Sequence, residues 1–197
     1  MFSSAAGIVL ASSSRYRRAL LEQIGLPYIA CPAEIDETAY PHERPETTAL
    51  RLAAEKARAV APTYPEAVII GSDQVATLDG ITSFSKPGRH AEAIEQLTRM
   101  SGSTVHFHTA VCVLNARTES AGCKLVSTEV RFRPLTPDMI EAYLHRDRPY
   151  DCAGSARIES LGIALVERVT SDDPTALLGL PLIALVDLLA VEGMSPL

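Results

Sequence analysis

Near its start the chain reads Ile8-Val9-Leu10-Ala11-Ser12-Ser13-Ser14-Arg15-Tyr16-Arg17-Arg18, an apolar run followed by hydroxyl and then by cationic side chains. The run from Ile8 to Ala11 is typical of a short buried strand, and the apolar residues beyond Arg18 recur at helical spacing. Ser14 is a suitable N-cap for that helix, which Gly25 and Pro27 end. A strand that leads at once into a helix is typical of α/β proteins, so this stretch predicts the fold class.

The rest of the chain continues to alternate between helical and strand-like patterns. Apolar stripes at helical spacing predict helices over residues 45–61, 90–100, 137–145 and 182–190. Short apolar or alternating runs predict strands over residues 28–31, 68–70, 75–78, 105–114, 125–132 and 162–168. Asp79-Gly80 predicts the turn of a hairpin. The alternation indicates a mixed α/β protein, and the sequence contains no repeat, linker or low-complexity segment.

Composition and charge argue against several classes of protein. With 197 residues, 47% of them hydrophobic, the chain can form one large domain or two small lobes. Its net charge of -6 disfavours non-specific binding to duplex DNA. The short apolar run 7–11 lacks the preceding cations of a secretory signal, and the longest apolar stretch, 176–186, is too short to span a membrane. These features predict a cytoplasmic protein.

Cysteine and histidine spacing gives no strong sign of a metal centre. The cysteines lie far apart, at Cys31, Cys112, Cys123 and Cys152. No two of them have the spacing of a zinc finger or a redox motif, so we predict that they are small buried hydrophobes. His106 and His108 alternate on a predicted strand and therefore share one face. The sequence identifies no third ligand beside them, so a metal role for this pair is not predicted.

The first candidate for chemistry is the start of the helix that follows Ser12. Free backbone amides at a helix N-terminus attract anions, and Arg15, Arg17 and Arg18 can add bidentate hydrogen bonds to phosphate. Ser12 and Ser14 place hydroxyl groups in the same segment. The alternative is an ordinary capped helix with solvated arginines. The sequence contains no Walker-type glycine-rich loop with a lysine.

Two acidic positions are candidates for acid-base chemistry or metal binding. Asp73 is predicted to stand at the end of the strand 68–70, where catalytic carboxylates are common in α/β proteins; a turn at Gly71-Ser72-Asp73 is the alternative. Asp36 and Glu37 stand in a polar loop and can supply an oxygen ligand to Mg²⁺, which takes one or two carboxylates together with substrate phosphates. Solvation of both acids is the commoner explanation for such a loop.

Lysine is scarce in this chain, and two of its lysines lie beside candidate motifs. Of 18 lysines and arginines, only Lys56, Lys86 and Lys124 are lysines. Arginine and lysine differ in shape and hydration, so a lysine retained in an arginine-rich chain indicates a need for a compact ammonium group. Lys56 and Lys86, which stands directly before Pro87, are therefore candidates to neutralise a triphosphate.

These motifs, in this order, resemble the Maf family of nucleotide pyrophosphatases. The similar segments are Leu10-Ala11-Ser12 with Arg17, Asp36-Glu37, Ala54-Glu55-Lys56-Ala57, Gly71-Ser72-Asp73, Lys86-Pro87, Cys152-Ala153-Gly154-Ser155 and Gly179-Leu180-Pro181-Leu182. Each motif is short, and the specificity lies in the ordered set, which extends across nearly the whole chain. The resemblance implies a single domain over residues 1–197 with a Maf/ITPase-like α/β fold. In that fold, helices flank an elongated mixed sheet and a central cleft separates two lobes.

The resemblance also implies an activity and a role for each candidate residue. The family cleaves nucleoside triphosphates between the α- and β-phosphates with Mg²⁺ or Mn²⁺, as house-cleaning of the nucleotide pool, and often forms homodimers. Carried over, Asp73 accepts the proton of the attacking water and binds the metal together with Glu37. The phosphates are bound by Arg17, Lys56 and Lys86, at a substrate site that includes Ser12 and Ser14.

Three positions depart from the family pattern. Arg15 stands where the family usually has proline, Ser85 where it has glycine, and Thr109-Ala110 where it has Thr-Gly. None of these changes removes a charged catalytic group. Because serine is less flexible than glycine, Ser85 is expected to affect the backbone geometry beside Lys86.

Three further positions differ between the subtypes of the family and are Tyr16, Gln74 and Glu159 here. This combination resembles the subtype that acts on 7-methyl-GTP, whereas the subtype for dTTP and UTP has Arg, Thr and Gln. An aromatic face such as Tyr16 attracts the cationic ring of methylated guanine by about 0.5–2 kcal/mol. A carboxylate such as Glu159 accepts both N–H donors on the pairing edge of guanine, where thymine and uracil offer one. The alternatives are that Tyr16 packs on its own helix and that Glu159 is solvated.

Two other functions remain open from the sequence. The nearest is a pyrophosphatase for dTTP, UTP or other non-canonical nucleotides. The second is a non-catalytic, nucleotide-sensing regulator of septum formation. The presence of Asp73, Lys56 and Lys86 argues against a sensor, because a sensor needs no catalytic base. A nucleic-acid-binding role is disfavoured by the acidic net charge.

Overall fold

The sheet at the centre of the molecule has seven strands, as described by a computed structural model that covers residues 7–197. They are β1 (Ile8–Leu10), β2 (Tyr28–Ala30), β3 (Val68–Thr77), β4 (Ser83–Phe84), β5 (Thr104–Asn115), β6 (Ser120–Phe132) and β7 (Val166–Thr170). The strand order is β2-β1-β3-β5-β6-β7, and β4 pairs with β3, which confirms the hairpin predicted at Asp79-Gly80. β1 is parallel to β2 and β3 and the other pairs are antiparallel, so the sheet is mixed as predicted.

Five α-helices pack on this sheet within the described part of the chain. They are α1 (Arg15–Gln23), α2 (Pro45–Val60), α3 (His90–Met100), α4 (Pro137–Asp147) and α5 (Leu182–Val191), each within two residues of its predicted bounds. Ser14 caps α1 by accepting a hydrogen bond from the Arg17 backbone N–H, as predicted. None of the helices in residues 7–197 is long and apolar enough to cross a membrane. The expected single domain over residues 1–197 extends beyond the described residues and stays a prediction.

β3 is longer than predicted, and this changes the place of Asp73. The expected strands 68–70 and 75–78 form one continuous strand, so Asp73 lies in its middle and not at its end. The predicted strand end was wrong because Gly71 does not make a turn. A side-chain carbon at Gly71 would lie 2.0 Å from the Ala53 carbonyl oxygen of α2. The glycine therefore lets α2 approach β3 closely, while pairing with β5 runs unbroken through Asp73.

Residues 162–168 are only partly a strand. Leu161–Leu165 form a 3₁₀ turn, and β7 begins at Val166. The predicted strand from Gly162 was wrong because the chain packs back on itself there. A side-chain carbon at Gly162 would lie 2.3 Å from the Arg157 carbonyl oxygen. This close approach requires glycine and a turn in place of an extended strand.

Two of the four cysteines form a disulfide, so the prediction for them was wrong. Cys112 on β5 and Cys123 on β6 occupy directly paired positions, with their Cα atoms 4.1 Å apart. They are 11 residues apart in sequence, and only the register of the two antiparallel strands places them opposite each other. Cys31 and Cys152 are free and half-buried.

The apolar core divides into clusters on the two sides of a cleft. One cluster joins α3 and α4 to the sheet and includes Leu97, Phe107, Phe132 and Leu144. Another joins α1 and α5 to the sheet and includes Leu10, Leu21, Leu185 and Leu189. These side chains are almost completely buried. Dense packing makes each cluster rigid, so it holds the residues on its side of the cleft in place. The cleft opens between the two lobes that these clusters form.

Candidate active site

A cleft of about 1040 Å³ is lined by residues from both lobes. Every residue that the sequence predicts for catalysis or substrate binding lies on its wall: Ser12, Ser14, Tyr16, Arg17, Glu37, Lys56, Asp73, Gln74, Lys86 and Glu159. Asp36, the other acid of its loop, does not line the cleft. Its exposed carboxylate accepts a hydrogen bond from the Thr38 backbone N–H at 2.9 Å. Of the two loop acids, Glu37 is therefore the one that faces the cleft.

Asp73 and Glu37 converge on the ammonium group of Lys56. The Lys56 Nζ atom lies 2.6 Å from Asp73 Oδ1 and 2.7 Å from Glu37 Oε1. Lys56 and Asp73 are buried, and the close approach of α2 to β3 at Gly71 brings them together. An ammonium group has three N–H donors, so one donor of Lys56 remains for a further acceptor such as a phosphate.

The same two carboxylates fit a divalent metal ion. Glu37 and Asp73 each have a second oxygen, for which no hydrogen bond is found within residues 7–197, and both residues line the cleft. Mg²⁺ and Mn²⁺ prefer oxygen ligands, and Mg²⁺ sites commonly combine one or two carboxylates with substrate phosphates. Glu37 and Asp73 are thus the residues that would hold such an ion.

Opposite charges compensate one another around the cleft. Burial raises the pKa of Glu37, but the hydrogen bond from Lys56 and the charges of Lys56, Lys86 and Arg17 outweigh burial and leave that pKa below its ordinary value. Burial lowers the pKa of the Arg17 guanidinium, and the charges of Asp73 and Glu37 oppose this effect. The cations Arg17, Lys56 and Lys86, which act on the two carboxylates, suit a substrate that brings negative phosphates together with a metal cation.

Arg17 is fixed by the segment that contains the Gly-Leu-Pro-Leu motif. Its Nε donates a hydrogen bond to the Gly179 carbonyl at 2.8 Å, and its Nη1 lies 3.4 Å from Ser12 Oγ. The Ser72 hydroxyl lies 2.9 Å from the same carbonyl. Gly179 has a φ of +103°, which side chains rarely allow. The glycine of this motif is therefore what turns a carbonyl oxygen toward Arg17.

Asp173 holds the same segment in place, although the sequence gives no sign of this role. Its carboxylate is buried and accepts hydrogen bonds from the backbone N–H groups of Thr175 at 3.0 Å and Ile183 at 2.8 Å. The second bond caps the N-terminus of α5, where the N-cap residue Pro181 has no side chain that could do so. A cap supplied from 10 residues away belongs to no local motif and is visible only in the structure.

A buried relay of hydrogen bonds anchors the loop that carries Lys86. Ser155 Oγ donates to Gln96 Oε1 at 2.7 Å, and Gln96 Nε2 donates to the Ser85 carbonyl at 3.0 Å. Ser155 belongs to the Cys-Ala-Gly-Ser motif and is fully buried. The backbone beside Lys86 is thus held through the Ser85 carbonyl, a contact that does not depend on the side chain at position 85. Gln96 belongs to no motif, and its role was not predicted from the sequence.

Arg51 on α2 anchors the loop that carries Glu37. Its guanidinium donates two hydrogen bonds to Glu43, both of 2.7 Å, and one to the Thr38 carbonyl at 3.1 Å. It also stacks on Tyr40, with 4.0 Å between Cζ and the ring centroid. The hydrogen bonds from Arg51 lower the pKa of Glu43 to about 2, so this carboxylate is charged at neutral pH. Neither Arg51 nor Glu43 belongs to a motif, and both were missed in the sequence.

Comparison with known proteins identifies the family to which the chain belongs. The family described as "Maf-like protein" matches residues 7–192. The chain belongs to the Maf family. It is 56% identical over 187 residues to a protein of Aromatoleum aromaticum named 7-methyl-GTP pyrophosphatase, a match that covers 95% of this chain and 96% of that relative. A protein of Thiobacillus denitrificans with the same name is 53% identical over 190 residues, covering 96% of this chain and 94% of that relative.

Two solved structures also resemble this Maf protein. A HAM1 protein from Coxiella burnetii gives a TM-score of 0.48 at 18% identity, over 65% of this chain and 73% of that chain. The Ham1 protein of Staphylococcus aureus gives a TM-score of 0.47 at 15% identity, over 65% and 72%. The assignment to the Maf family rests on the sequence matches alone.

Tyr16 and Glu159 line the Maf cleft with groups that a nucleotide base can contact. The Tyr16 hydroxyl accepts a hydrogen bond from Arg15 Nη2 at 2.6 Å, and the Arg15 guanidinium lies over the tyrosine ring, 4.8 Å from its centroid. Burial raises the pKa of Tyr16, so the hydroxyl stays protonated at neutral pH. Glu159 is exposed on the cleft wall, and within residues 7–197 its carboxylate has no ion-pair partner.

Gln74 lines the cleft of this Maf protein, but its amide nitrogen is used within the protein. Nε2 lies 2.9 Å from Thr109 Oγ1 and 3.0 Å from the Leu177 carbonyl. Gln74 therefore supports the 3₁₀ turn Ala176–Leu178 that precedes Gly179. Its part in base recognition stays a prediction, for which the side-chain carbonyl oxygen is the remaining group.

Proposed function

We propose that this Maf protein hydrolyses 7-methyl-GTP to 7-methyl-GMP and diphosphate, with Mg²⁺ or Mn²⁺ as cofactor. The observation that carries the proposal is the convergence of Asp73, Glu37 and Lys56 in a cleft that Arg17 and Lys86 also line. Attack of water on a phosphate needs a carboxylate to accept a proton and cations to spread the charge. The names of the relatives support the choice of 7-methyl-GTP as substrate.

Each charged residue has its own task in the proposed reaction. Arg17 and Lys86 bind the triphosphate and stabilise the negative charge that develops on the departing diphosphate. Asp73 orients the attacking water and accepts its proton, and Lys56 fixes the position of the Asp73 carboxylate at 2.6 Å. A metal ion held by Glu37 and Asp73 would polarise the phosphate oxygens.

A nucleotide panel tests the proposed substrate. Purified protein with Mg²⁺ is expected to hydrolyse 7-methyl-GTP with a higher kcat/KM than GTP, and both guanine nucleotides faster than dTTP and UTP. The exposed carboxylate of Glu159 suits the donor edge of guanine, and the ring of Tyr16 suits a cationic base. A chelator control should abolish turnover. Faster hydrolysis of dTTP than of 7-methyl-GTP would reject the substrate, and no hydrolysis of any nucleotide would favour a sensor.

Variants of the two base-site residues separate their contributions. Tyr16→Ala should reduce kcat/KM for 7-methyl-GTP more than for GTP, because the loss of base stacking costs about 1–3 kcal/mol and only the methylated ring is cationic. Tyr16→Phe is the matched control, since it keeps the ring and removes only the hydroxyl bond to Arg15. Glu159→Gln should partly reduce kcat/KM for both guanine nucleotides. Glu167 is an exposed acid paired with Arg131, so Glu167→Gln should leave both values unchanged. Unchanged substrate ratios in Tyr16→Ala and Glu159→Gln would show that other groups read the base.

Lys86→Ala tests the proposed phosphate contact. The variant should weaken binding of a non-hydrolysable triphosphate by about 1.5–3 kcal/mol, or roughly tenfold or more, and binding of the monophosphate much less. Lys124→Ala is the control, because Lys124 lies outside the cleft in an exposed pair with Asp187. Calorimetric titration of wild type and both variants measures the difference. Equal losses for triphosphate and monophosphate would contradict a role in binding the outer phosphates.

Three further expectations remain part of the proposal. A cytoplasmic location suits an enzyme that acts on free nucleotides. A homodimer is implied by the resemblance to the Maf family. The absence of a nucleic-acid partner is inferred from the net charge of -6, which disfavours contact with a phosphate backbone.

A further inference from the structure

Two helices bring three metal-binding side chains together outside the cleft. His90 is the first residue of α3, and Glu141 and His145 lie one turn apart on α4. His90 Nε2 lies 2.9 Å from Glu141 Oε2, which lies 3.5 Å from His145 Nε2. All three ligand atoms are within 4.8 Å of one another. None of these residues lines the cleft.

We propose that His90, Glu141 and His145 form a second metal site, which binds Zn²⁺. Two imidazoles and one carboxylate are a known three-residue ligand set for Zn²⁺, with water in the fourth position. Imidazole suits Zn²⁺ and neighbouring transition metals, whereas Mg²⁺ prefers oxygen ligands. The site therefore differs in chemistry from the pair of carboxylates, Glu37 and Asp73, in the cleft.

The backbone brings these ligands close to the distances that a zinc ion requires. Glu141 and His145 are four residues apart on one helix, a spacing that places side chains on the same face. The neighbours Ile140 and Leu144 are buried in the core, so that face of α4 is held in a fixed orientation. A tetrahedral zinc ion with bonds of about 2.0–2.1 Å keeps its ligand atoms roughly 3.3 Å apart. The side chain of His145 is 76% exposed, so a small rotation toward the other two ligands meets little packing.

Tyr150 supplies the outer hydrogen bond that a zinc-binding histidine requires. His90 Nδ1 lies 2.9 Å from the Tyr150 hydroxyl, while its Nε2 faces Glu141. With zinc on Nε2, the ring proton lies on Nδ1 and is donated to the tyrosine oxygen. A tyrosine hydroxyl can both donate and accept, so Tyr150 can hold the ring in the orientation in which Nε2 binds zinc.

The site joins α3 to α4 close to the loop of Lys86. The Gly88 backbone N–H donates to the Tyr150 carbonyl at 3.1 Å, so this loop and the zinc site share one support. Zinc bound to the folded chain stabilises it by linkage, without contact with the nucleotide. The expected consequence is a higher Tm in zinc, with the Mg²⁺-dependent reaction left unchanged.

Titration with Zn²⁺ alone, in competition with a chromogenic chelator, tests the proposal. The Asp73→Asn background is used because it weakens the cleft as a competing site, and one tight Zn²⁺ per chain is expected. His145→Ala should weaken zinc binding by more than about 10²-fold and Tyr150→Phe by about tenfold, in the range for outer hydrogen bonds. His106→Ala is the control. His106 stacks with His108 on β5 in a different pair of histidines, so this variant should leave zinc affinity unchanged.

Two results would overturn the zinc site. One is the absence of tight Zn²⁺ binding in the Asp73→Asn protein that has all three ligands. The other is unchanged zinc affinity in both His145→Ala and His90→Gln. With Asp73 intact, His145→Ala is expected to fold and to hydrolyse 7-methyl-GTP like wild type, because His145 is exposed and lies outside the cleft. Zinc affinity and nucleotide hydrolysis therefore report separately on the zinc site and on the proposed function.

Discussion

Asp73→Asn is expected to lower kcat for 7-methyl-GTP by about 10²-fold or more, the scale of general-base catalysis, while triphosphate binding persists. Asparagine has nearly the same shape as aspartate, but its amide cannot accept the proton of the attacking water. Lys56 keeps its second partner, Glu37, at 2.7 Å, so the fold should be retained. Steady-state kinetics give kcat, and titration with a non-hydrolysable analogue gives the affinity.

Asp187→Asn provides the matched control for this substitution. Asp187 is exposed, lies outside the cleft and is paired with the exposed Lys124. Removal of such a pair has little effect on a protein, so turnover should equal that of wild type. If Asp73→Asn also turns over within a factor of a few of wild type, Asp73 is not the base.

Lys56→Met is expected to lose both activity and stability. The ammonium of Lys56 is the counter-charge of the buried Asp73, and breaking a buried pair on one side costs about 3–5 kcal/mol. For a chain of this length that corresponds to a fall in Tm of roughly 6–20 °C. Activity should fall by about 10²-fold or more, because a fixed cation beside the reacting phosphate is removed. Calorimetry and steady-state kinetics measure the two effects.

A double variant separates the two effects of Lys56. In Lys56→Met with Asp73→Asn, the buried group at position 73 is a neutral amide that needs no counter-charge, so part of the lost Tm should return while activity stays low. Lys124→Met, which removes an exposed lysine, should leave both quantities near wild type. Wild-type Tm and activity in Lys56→Met would show that the pair with Asp73 supports neither folding nor catalysis.

Helices were more predictable from the sequence than the ends of strands. α2 and α3 each carry an apolar stripe that only helical spacing brings to one face, so the sequence alone locates them well. A strand end depends on what packs against it. In the sequence, Gly71 is typical of a turn, and only the structure shows that α2 packs closely against it. Likewise, the disulfide of Cys112 and Cys123 depends on the register of two strands.

The charged groups of the site were predictable, but the residues that support them were not. Motifs of a few residues carry Asp73, Lys56 and Lys86, whose types indicate their chemistry. Their supports act across the fold through hydrogen bonds to partners outside any motif. Gln96, for example, joins Ser155, 59 residues away in sequence, to the lysine loop. Such contacts depend on tertiary structure, so residue type and spacing alone do not reveal them.

Hydrolysis of 7-methyl-GTP in ¹⁸O-labelled water tests the proposed reaction most directly. Water that attacks the α-phosphorus leaves its oxygen on the nucleoside monophosphate. Mass spectrometry should therefore find the label in 7-methyl-GMP and none in diphosphate. Label in diphosphate or orthophosphate, or 7-methyl-GDP as the product, would contradict attack at the α-phosphorus and with it the reaction proposed for this cleft.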